Sequence, residues 1–362
     1  MIRVLHVING MGTGGAEKDI MNWYRNIDRS KVQFDFLIRT DEMFYKKEIE
    51  KLGGSVYRVA GFPKKLFYNI RETRNFIKKN KNKYQAIHVH GNALIYIYPL
   101  MCAKRYGIKI RIYHSHNTKA NSKMAEFVHR CNRLFIHKYI NKPVACSVNA
   151  GIFAYGKQSC TVINNAMDLE KINSCVKYSK NKFEISDSTL LLGHVGRFLP
   201  VKNQKFVLDV FNEIHSVIPD SHLLLVGVGP TMSEVQDYSK KIGIRESVEF
   251  LGERNDVESI VKALDCMIFP SLYEGVPLVV LESQVCGTKI ICSDTVDKSV
   301  KLTPLVEFES LNSNAKEWAE RVLTFLSNNI SCDVSKEFKK AKYDIESIIE
   351  QLYVLYEVDL KN

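Results

Sequence analysis

The sequence predicts an α/β protein made of two Rossmann-like, doubly wound domains in tandem. Its 362 residues exceed what one hydrophobic core usually organises, and an apolar content of 45% is enough for two cores. Short apolar runs alternate with helix-like segments, which is typical of parallel sheets whose strands are joined by helices. The alternation restarts after the polar stretch SCVKYSKNKFEISDS at 174–188, so we expect a domain boundary between 160 and 188.

In the first half, apolar runs predict parallel strands and periodic segments predict helices. One helix is EKDIMNWYRNI at 17–27, and the basic amphipathic segments at 64–84 and 126–142 are further helix candidates. The predicted strands are IRVLHVI at 2–8, VQFDFLI at 32–38, YQAIHVH at 84–90, IKIRIYHSH at 108–116 and PVACSV at 143–148.

The second half repeats this pattern. Its predicted strands are TLLLGHVG at 189–196, HLLLVGVG at 222–229, VEFLGE at 248–253, CMIFPS at 266–271 and TKIICSD at 288–294. Its predicted helices lie at 204–218, 232–243, 256–264 and from 276, and one or two terminal helices follow 336.

These elements divide the chain into three parts. Residues 1–170 form an N-terminal Rossmann-like domain, 171–335 form a C-terminal one, and 336–362 form a helical segment that can pack back on the N-terminal domain. Ligands in doubly wound sheets bind beyond the carboxyl ends of the strands, so we expect two facing domains to enclose one cleft.

The composition argues against a membrane-spanning or disulfide-bonded protein. The longest apolar run, ALIYIYPLMCA at 93–103, is about half as long as a spanning helix, and the N-terminus has no secretory-signal pattern. Nine cysteines occur between Cys102 and Cys332 without a C-x-x-C pair, which favours a reducing compartment over disulfides or a zinc site. We therefore expect a cytoplasmic chain.

The charge is unevenly distributed along the chain. Residues 1–163 contain 29 Lys and Arg against 10 Asp and Glu, a net +19, and the remainder carries a net −8. A basic half favours an anionic partner, and basic amphipathic helices at 64–84 and 126–142 suit an anionic bilayer surface. The same helices also suit solvated faces that pack their apolar side on their own domain. No nucleic-acid-binding signature is present, so we expect no nucleic-acid partner.

The stretch GMGTGGAEK at 10–18 is a candidate ligand loop after the first predicted strand. Gly10, Gly12 and Gly15 satisfy the G-x-G-x-x-G spacing of dinucleotide sites, and Asp41 after the next strand could hold a ribose. Glycines let backbone N–H groups approach a ligand, and the following helix directs its positive end there. A tight strand-to-helix turn without a ligand would have the same glycines.

Two cations follow the first strand of the second half. In GRFLPVKNQ at 196–204, Arg197 and Lys202 lie five residues apart in a strand-to-helix loop. The forked guanidinium and the ammonium of such a pair can hold a diphosphate.

Two glutamates occur in PSLYEGVPLVVLES at 270–283. Glu274 lies in a glycine-containing loop, and Glu282 lies on the helix that opens near Pro277. Both carboxylates can accept hydrogen bonds from sugar hydroxyls. Paired carboxylates also occur in hydrolases, but that interpretation leaves the nearby cations unexplained.

Histidines recur in HVH at 88–90 and HSH at 114–116. Each pair lies on one side of a predicted strand and could suggest a metal site. No carboxylate or cysteine cluster completes a ligand set, so we expect no metal.

Together these segments resemble the retaining, nucleotide-sugar-dependent glycosyltransferases of the two-domain GT-B fold, known as glycosyltransferase family 4. The resemblance covers nearly the whole chain, and its most specific element is Glu274-x7-Glu282 in EGVPLVVLE. Supporting segments are GRFLPVKN, GVGP at 227–230, FLGERNDV at 250–257, VINNAMDLEKI at 162–172 and the Gly14-Gly15-Ala16-Glu17 run. The chain is most similar to members that build bacterial capsular or exopolysaccharide repeat units.

The resemblance implies a donor site in the C-terminal domain. Arg197 and Lys202 would bind the donor diphosphate, Glu282 would hold the ribose hydroxyls, and Glu274 would contact the transferred sugar. The other implied donor positions are Gly275 and Val276 beside the sugar and Leu251, Gly252 and Arg254 beside the base.

In the N-terminal, acceptor-side domain, the resemblance implies that Gly14 and Gly15 form an acceptor and phosphate loop. One histidine of HSHN at 114–117, His116 rather than His114, would lie by the reacting sugar. The implied catalytic residues are then Glu274, His116, Arg197 and Lys202.

The reaction implied is transfer of a sugar from a nucleotide diphosphate sugar, a UDP-sugar by family frequency, to a glycan hydroxyl with retention of configuration. The acceptor would be lipid-linked, no cofactor or metal would be needed, and the enzyme would lie peripherally on the inner face of the plasma membrane. Two alternatives stay open: an NAD-dependent oxidoreductase using the Gly10-Gly12-Gly15 loop, or a non-catalytic membrane-binding or partner-binding protein of the same fold.

Overall fold

The computed structural model describes residues 1–359 and divides into two compact units. The first unit contains Met1–Met167 and the described residues from Lys342 onward, and the second unit contains Asp168–Ala341. The predicted second domain, 171–335, begins three residues after the second unit does and ends six residues before it. The chain leaves the first unit three residues earlier and rejoins it at Lys342, where the Met167 N–H donates to the Tyr343 carbonyl over 2.7 Å.

The first unit is built around a seven-stranded sheet in the order β3-β2-β1-β4-β5-β6-β7. Each neighbouring pair is parallel, so all the carboxyl ends meet at one edge. The strands are β1 (Ile2–Val7), β2 (Val32–Ile38), β3 (Val56–Arg58), β4 (Ala86–Gly91), β5 (Ile110–Ser115), β6 (Lys142–Ala145) and β7 (Thr161–Val162). All five strands predicted for this half are present.

Helices cover the sheet of the first unit. Side chains alternate between its faces, so that Val4 joins the core cluster containing Trp23 and Phe34, whereas Leu5 joins a second cluster. The helices are α1 (Gly15–Asn26), α2 (Lys46–Lys51), α3 (Leu66–Lys79), α4 (Tyr98–Arg105), α5 (Lys123–Arg133) and α6 (Val148–Tyr155).

The single helix expected over 126–142 is wrong in length. The helix α5 ends at Arg133 because tertiary contacts on both sides of this point redirect the chain: Asn132, in the last turn of α5, donates to the Leu94 carbonyl over 2.6 Å, and Ile136 is buried in a short 3₁₀ turn. Strand β6 already begins at Lys142.

The second unit contains a six-stranded parallel sheet in the order β10-β9-β8-β11-β12-β13. Its strands are β8 (Leu190–Val195), β9 (Ser221–Val226), β10 (Val248–Gly252), β11 (Cys266–Phe269), β12 (Lys289–Ser293) and β13 (Val306–Glu309). The first five were predicted, and β13 was not.

Two helices of the second unit begin at recognisable local signals. The helix α11 begins directly after Pro277, as predicted, and α12 begins with a capping box between Asn314 and Glu317. The helices of this unit are α7 (Leu169–Ser174), α8 (Gln204–Val217), α9 (Met232–Lys241), α10 (Val257–Ala263), α11 (Leu278–Val285), α12 (Ala315–Ser327) and α13 (Val334–Lys340).

The C-terminal segment is shared between the units. The helix α13 belongs to the second unit, whereas α14 (Ile345–Leu355) packs against α1 and contributes Ile348, Leu352 and Tyr356 to the first unit's core. Residues 360–362 of the predicted terminal segment lie outside the described residues. Among the described helices, none combines the length and apolarity needed to cross a bilayer.

Candidate active site

The carboxyl ends of three neighbouring strands in the second unit are tied together by backbone hydrogen bonds. The Gly196 N–H after β8 donates to the Val226 carbonyl over 3.0 Å, and the Gly227 N–H after β9 donates to the Gly252 carbonyl over 2.8 Å. This edge of a parallel sheet is where doubly wound folds bind ligands. These hydrogen bonds fix the relative positions of the loops after β8, β9 and β10, which carry predicted donor-site residues.

The glycines of GVGP are required by the close approach of two loops. Gly227 has φ of +129°, and a Cβ there would lie 2.2 Å from the Gly196 carbonyl oxygen. A Cβ on Gly229 would lie 2.3 Å from the Phe198 carbonyl oxygen. GVGP thus packs directly against the loop that carries Arg197.

Arg197 and Lys202 lie in the loop between β8 and α8. Arg197 is exposed, and its carbonyl accepts a hydrogen bond from the Gln204 side chain over 2.9 Å. Lys202 ends a 3₁₀ turn that begins at Pro200, and Asn203 follows in the left-handed region with φ of +57°. The loop geometry is thereby fixed at both ends.

Lys202 and Glu274 form an ion pair. The Lys202 Nζ lies 2.6 Å from the Glu274 Oε1 and 4.9 Å from the centre of the Phe269 ring. The loops carrying them are also joined by their backbones, because the Leu272 N–H donates to the Val201 carbonyl over 2.8 Å. The structure therefore brings two of the predicted catalytic residues into contact.

Glu274 is followed by the start of helix α11. Gly275 and Val276 connect it to Pro277, and the N–H groups of the first turn of α11 face the same end of the sheet. Glu282 lies in the second turn and is only 5% exposed. A carboxylate that is this far buried requires polar or charged partners.

Leu251, Gly252 and Arg254 lie at the end of β10 and in the loop after it. Gly252 has φ of +66°, which lets the chain turn away from the sheet edge. The Arg254 guanidinium binds Asp256 through two hydrogen bonds, of 2.8 and 2.6 Å, and Tyr178 donates to the same carboxylate. Arg254 and Tyr178 lower the pKa of Asp256 to about 2. The side chain predicted to border the base is thus oriented by a local carboxylate.

In the first unit, the dinucleotide-like glycines have a packing explanation. A Cβ on Gly10 would lie 2.5 Å from the Thr40 Oγ1, and a Cβ on Gly12 would lie 3.1 Å from a Glu42 carboxylate oxygen. Asp41, which the alternative would assign to a ribose, instead forms an ion pair with Arg58 at 2.6 Å. The G-x-G-x-x-G spacing therefore reflects contact between the loops after β1 and β2.

Gly14 and Gly15 lie at the junction between the loop after β1 and the helix α1: Gly14 is the N-cap of α1 and Gly15 begins it. A Cβ on Gly14 would lie 2.4 Å from the Glu17 Oε2, so the Glu17 carboxylate covers the start of its own helix. A helix N-terminus attracts negative charge, so the position of the Glu17 carboxylate at the start of α1 is electrostatically favourable. A phosphate at this position would require the Glu17 side chain to move.

The predicted histidine pairs belong to a larger cluster, which we call the histidine cluster. It contains His6 on β1, His88 and His90 on β4, and His114 and His116 at the end of β5. Parallel registers pair His6 with His88 and His90 with His114. The strand registers thus bring a third histidine next to each pair, which the sequence spacing alone did not predict.

Within the histidine cluster, His114 is fully buried and His116 is partly exposed. Burial lowers the pKa of His116 to about 4 and that of His114 well below its ordinary value. Both are therefore neutral at pH 7. His116 is the most exposed member of the histidine cluster, and its role beside the reacting sugar stays a prediction.

Two members of this neighbourhood were missed by sequence reasoning. His6 lies in the first predicted strand and belongs to no motif. Tyr356 is near the other end of the chain, and its hydroxyl forms a 2.8 Å hydrogen bond with the His88 Nδ1. Only the pairing of β1 with β4 and the return of α14 place them there.

Comparison with known proteins identifies the family of this chain. The family model for glycosyl transferases group 1 matches residues 177–344. The Bacillus subtilis (strain 168) protein named as glycosyltransferase EpsF is 33% identical over 336 residues, covering 88% of this chain and 86% of that protein. The Escherichia coli UDP-Gal:alpha-D-GlcNAc-diphosphoundecaprenol alpha-1,3-galactosyltransferase is 26% identical over 72% of this chain and 73% of its own length.

Among solved structures, Anabaena Alr3699/HepE in complex with UDP and glucose superposes with a TM-score of 0.78 at 18% identity, covering 99% of this chain and all of that one. This likeness identifies the fold as that of the GT-B glycosyltransferases. The alignment with the 33% identical relative covers most of both chains, and the family model covers most of the second unit. This protein therefore belongs to the group 1 glycosyltransferases.

Proposed function

We propose that this glycosyltransferase transfers a sugar, with retention of configuration, from a UDP-sugar to a hydroxyl of a lipid-linked glycan during bacterial capsule or exopolysaccharide synthesis. The observation that carries the proposal is the contact between Lys202 and Glu274 at the carboxyl edge of the second sheet. In this contact, a cation that can bind a diphosphate lies next to a carboxylate that can bind a sugar hydroxyl.

The donor diphosphate would bind to Arg197 and Lys202. Arg197 is exposed and can offer its guanidinium fork, and Lys202 supplies a point charge from a rigid turn. Before the donor binds, Glu274 neutralises Lys202. After it binds, Lys202 can bridge the phosphate and the carboxylate, so that Glu274 is held beside the transferred sugar.

The nucleoside would bind along the neighbouring elements. Glu282 would accept hydrogen bonds from the ribose hydroxyls, and the burial of its side chain gives those bonds a low-dielectric setting. Leu251, Gly252 and Arg254 would border the base. Gly275 and Val276 would offer backbone groups next to the sugar.

In the reaction, the bond between the anomeric carbon and the donor phosphate oxygen breaks, and the acceptor oxygen bonds to the same face of that carbon. Negative charge grows on the leaving diphosphate, and Arg197, Lys202 and the N–H groups at the start of α11 stabilise it. The leaving phosphate takes the acceptor proton, so no separate base is needed. Glu274 acts by positioning and electrostatics, and these cations supply the charge that a divalent metal supplies in other transferases.

The base and the acceptor are proposed from the relatives. The Escherichia coli relative is named for a UDP-Gal donor and a diphosphoundecaprenol-linked acceptor, and the Anabaena structure contains UDP. Both names favour uridine here. The first supports an acceptor linked to a polyprenyl diphosphate.

The first unit would serve the acceptor side and the membrane. Gly14, Gly15 and His116 would line its acceptor and phosphate region. The start of α3 exposes Phe67 (83%) and Tyr68 next to Lys64 and Lys65.

The helix α5 and the turn after it expose apolar side chains in the same way. Phe127 is 65% exposed, and Lys123, Arg130 and Arg133 lie on the same helix. Exposed aromatic residues within a basic surface favour binding to anionic lipid headgroups. These features support a peripheral location on the inner face of the plasma membrane.

A thermal-shift panel tests the donor. Uridine, guanosine and adenosine diphosphate sugars are compared, with NADH as the control for the oxidoreductase alternative. We expect stabilisation by the uridine compounds, still present in EDTA, and a smaller shift in Lys202→Ala. Stabilisation by NADH alone would contradict the proposal, and no shift with any nucleotide sugar would favour the non-catalytic alternative. The anomeric configuration of the product, measured by NMR, tests retention.

A further inference from the structure

The histidine cluster contains more histidines than the proposed reaction uses. The reaction uses His116, whereas His6, His88, His90 and His114 are buried in the first unit. Buried polar rings carry a desolvation cost that apolar residues would avoid. The burial of these four rings in one cluster with His116 therefore calls for an explanation.

Three of the rings form a continuous hydrogen-bonded chain. The His6 Nδ1 lies 2.9 Å from the His90 Nε2, and the His90 Nδ1 lies 2.9 Å from the His116 Nε2. Both distances are ordinary hydrogen-bond lengths. His90 thus uses both nitrogens, one toward the buried end of the chain and one toward His116.

All three rings are neutral near pH 7. Burial lowers the pKa of His6 to about 3 and that of His116 to about 4, and it holds the pKa of His90 well below its ordinary value. A neutral imidazole has one donor nitrogen and one acceptor nitrogen. The chain can therefore exist in only two arrangements, with all N–H bonds directed toward His116 or all directed toward His6.

The buried end of the chain distinguishes these arrangements. The His6 Nε2 is buried and has no hydrogen-bond partner within residues 1–359. If the N–H bonds were directed toward His6, this nitrogen would carry a proton, and a buried N–H without an acceptor is rare and costly. If they are directed toward His116, the Nε2 keeps a lone pair instead.

We propose that His6 and His90 are positioning residues that fix the tautomer of His116. The His6 Nδ1–H donates to the His90 Nε2, the His90 Nδ1–H donates to the His116 Nε2, and His116 carries its own proton on Nδ1. His116 then presents an N–H donor and has no free basic nitrogen.

The consequence for sugar transfer rests on the proposed function. With the Nε2 lone pair occupied, His116 donates a hydrogen bond to an oxygen of the reacting sugar or its phosphate and does not abstract the acceptor proton. This agrees with the leaving phosphate as the proton acceptor.

A metal ion is the competing occupant of this cluster. Ring nitrogens of His6, His88 and His90, and those of His90, His114 and His116, lie within 4.8 Å of one another. However, His88 and His90 are stacked at 4.2 Å with 21° between their planes, and so are His114 and His116. In-plane lone pairs of parallel rings run side by side and do not converge, whereas tetrahedral zinc needs converging nitrogens about 2.0–2.1 Å from the ion.

Nitrogen NMR of the full chain with ¹⁵N-labelled histidine tests the tautomer directly. We expect the wild-type His116 to be protonated on Nδ1 and not on Nε2, with scalar coupling across the His6–His90 and His90–His116 hydrogen bonds. A proton on the His116 Nε2, or the absence of both couplings, would overturn the proposal. Loss of both couplings on addition of equimolar Zn²⁺, with recovery in EDTA, would favour the metal site and overturn it too.

Variants separate positioning from packing. His90→Phe should release the tautomer preference of His116, whereas His90→Asn, which keeps a donor near the Nδ1 position, should retain it. The matched control is His114→Phe, because His114 stacks on His116 but neither of its nitrogens has a partner in the described chain. This control should keep the wild-type tautomer. If His116 keeps its wild-type tautomer in a folded His90→Phe protein, the proposal is contradicted. If that variant does not fold, the spectrum of the wild-type protein decides the question.

Activity provides the second measurement. We expect His90→Phe to lower kcat by about 10- to 100-fold with little change in the donor KM, and His90→Asn to recover most of the loss. If the tautomer of His116 changes and kcat does not, the His6–His90–His116 hydrogen bonds have no role in transfer. That result would leave the donor-site proposal unaffected.

Discussion

Lys202 and Glu274, which are 72 residues apart in the chain, form a partly buried ion pair with 2.6 Å between Nζ and Oε1. They meet because β8 and β11 are neighbouring parallel strands whose carboxyl ends lie side by side. Their side chains are 16% and 20% exposed, so the pair is accessible to a ligand from one side. Its position at the binding edge of the sheet favours a role in function over one in stability.

Removing the cation of this pair should affect transfer much more than folding. Lys202→Ala removes a group proposed to stabilise the leaving diphosphate, and we expect kcat to fall by about 10²- to 10³-fold. The double variant Arg197→Ala with Lys202→Ala should nearly abolish transfer. Circular dichroism and the thermal midpoint should stay close to wild type.

The matched control is Lys205→Ala. Lys205 also forms an ion pair at 2.6 Å, with Glu234, but on the exposed surface of the same unit. We expect less than about a twofold change in rate, because exposed pairs contribute little. Equal losses in Lys202→Ala and Lys205→Ala would argue against the assigned diphosphate site.

Neutralising Glu282 should weaken binding of the nucleotide. Glu282→Gln keeps the shape of the side chain but loses charged hydrogen bonds to the ribose, which are worth about 1.5–3 kcal/mol. Calorimetric titration with UDP should show Kd rising by at least tenfold. Glu246→Gln, an exposed position in the same unit, is the control, and a Kd unchanged in both variants would exclude Glu282 from the site.

The close approach at Gly227 should make alanine much more harmful there than at another left-handed glycine. Gly243 has φ of +80° with nothing within 4 Å of a Cβ, so Gly243→Ala should cost only the backbone strain of about 1–2 kcal/mol. Gly227→Ala adds overlap with the Gly196 carbonyl. We expect a larger fall in the thermal midpoint and weaker UDP binding, whereas equal shifts would show that the two loops separate freely.

Asp19 should make the stability of the first unit depend on pH. It is buried in α1, where its Oδ1 accepts from the Ala166 N–H over 2.7 Å, and burial raises its pKa from 3.8 to about 8. The folded state therefore holds a proton that the unfolded chain releases above about pH 4. This contribution to stability is present at low pH and is lost as the pH rises through about 8.

The measurement is the thermal midpoint at pH 7.0 and 8.5. We expect the wild-type midpoint to fall over this interval by more than that of Asp19→Asn, which has no carboxyl group to titrate. Asp28→Asn, at an exposed position, should follow the wild type. Parallel pH profiles for all three proteins would show that Asp19 is ionised in the folded state.

Membrane binding should depend on the exposed aromatic residues as well as on charge. We expect the protein to sediment with phosphatidylglycerol vesicles more than with phosphatidylcholine vesicles, and less in high salt. Phe67→Ser and Phe127→Ser should each weaken binding by about tenfold through lost apolar burial. Phe44→Ser, which changes a phenylalanine next to the acidic residues Asp41 and Glu42, should bind like the wild type. Equal binding to both vesicle types would remove the electrostatic basis of the proposal.

The longer strands were predictable because a strand covered on both faces needs a mostly apolar run, as in VQFDFLI and HLLLVGVG. The missed strands β3, β7 and β13 are at sheet edges and contain two to four residues, too few to form such a run. Helix α12 was missed although Asn314 and Glu317 carry a capping box that could have marked its start. The end of α5 depended on tertiary contacts of Asn132 that no local signal reveals.

The candidate site was predictable only in part. Arg197, Lys202 and Glu274 could be selected from loop position and residue chemistry, since a strand-to-helix loop in this fold opens at the ligand edge. Glu282 could be selected from its place on the helix that follows such a loop. The pairing of Lys202 with Glu274 could not be predicted, because it depends on the spatial order of β8 and β11. The link from His6 to His116 likewise requires two strand registers at once, that of β1 with β4 and that of β4 with β5.

The return of α14 to the first unit has a practical consequence for exchanging donor specificity between related enzymes. The Tyr356 hydroxyl contacts the His88 ring, so the last described helix is part of the wall that supports the histidine cluster. In a chimera joined only near residue 167, the first unit would come from one parent and α14, which packs in its core, from the other. Splicing at both 167/168 and 341/342 exchanges Asp168–Ala341 as one compact unit and keeps α14 with the Met1–Met167 part of its original parent.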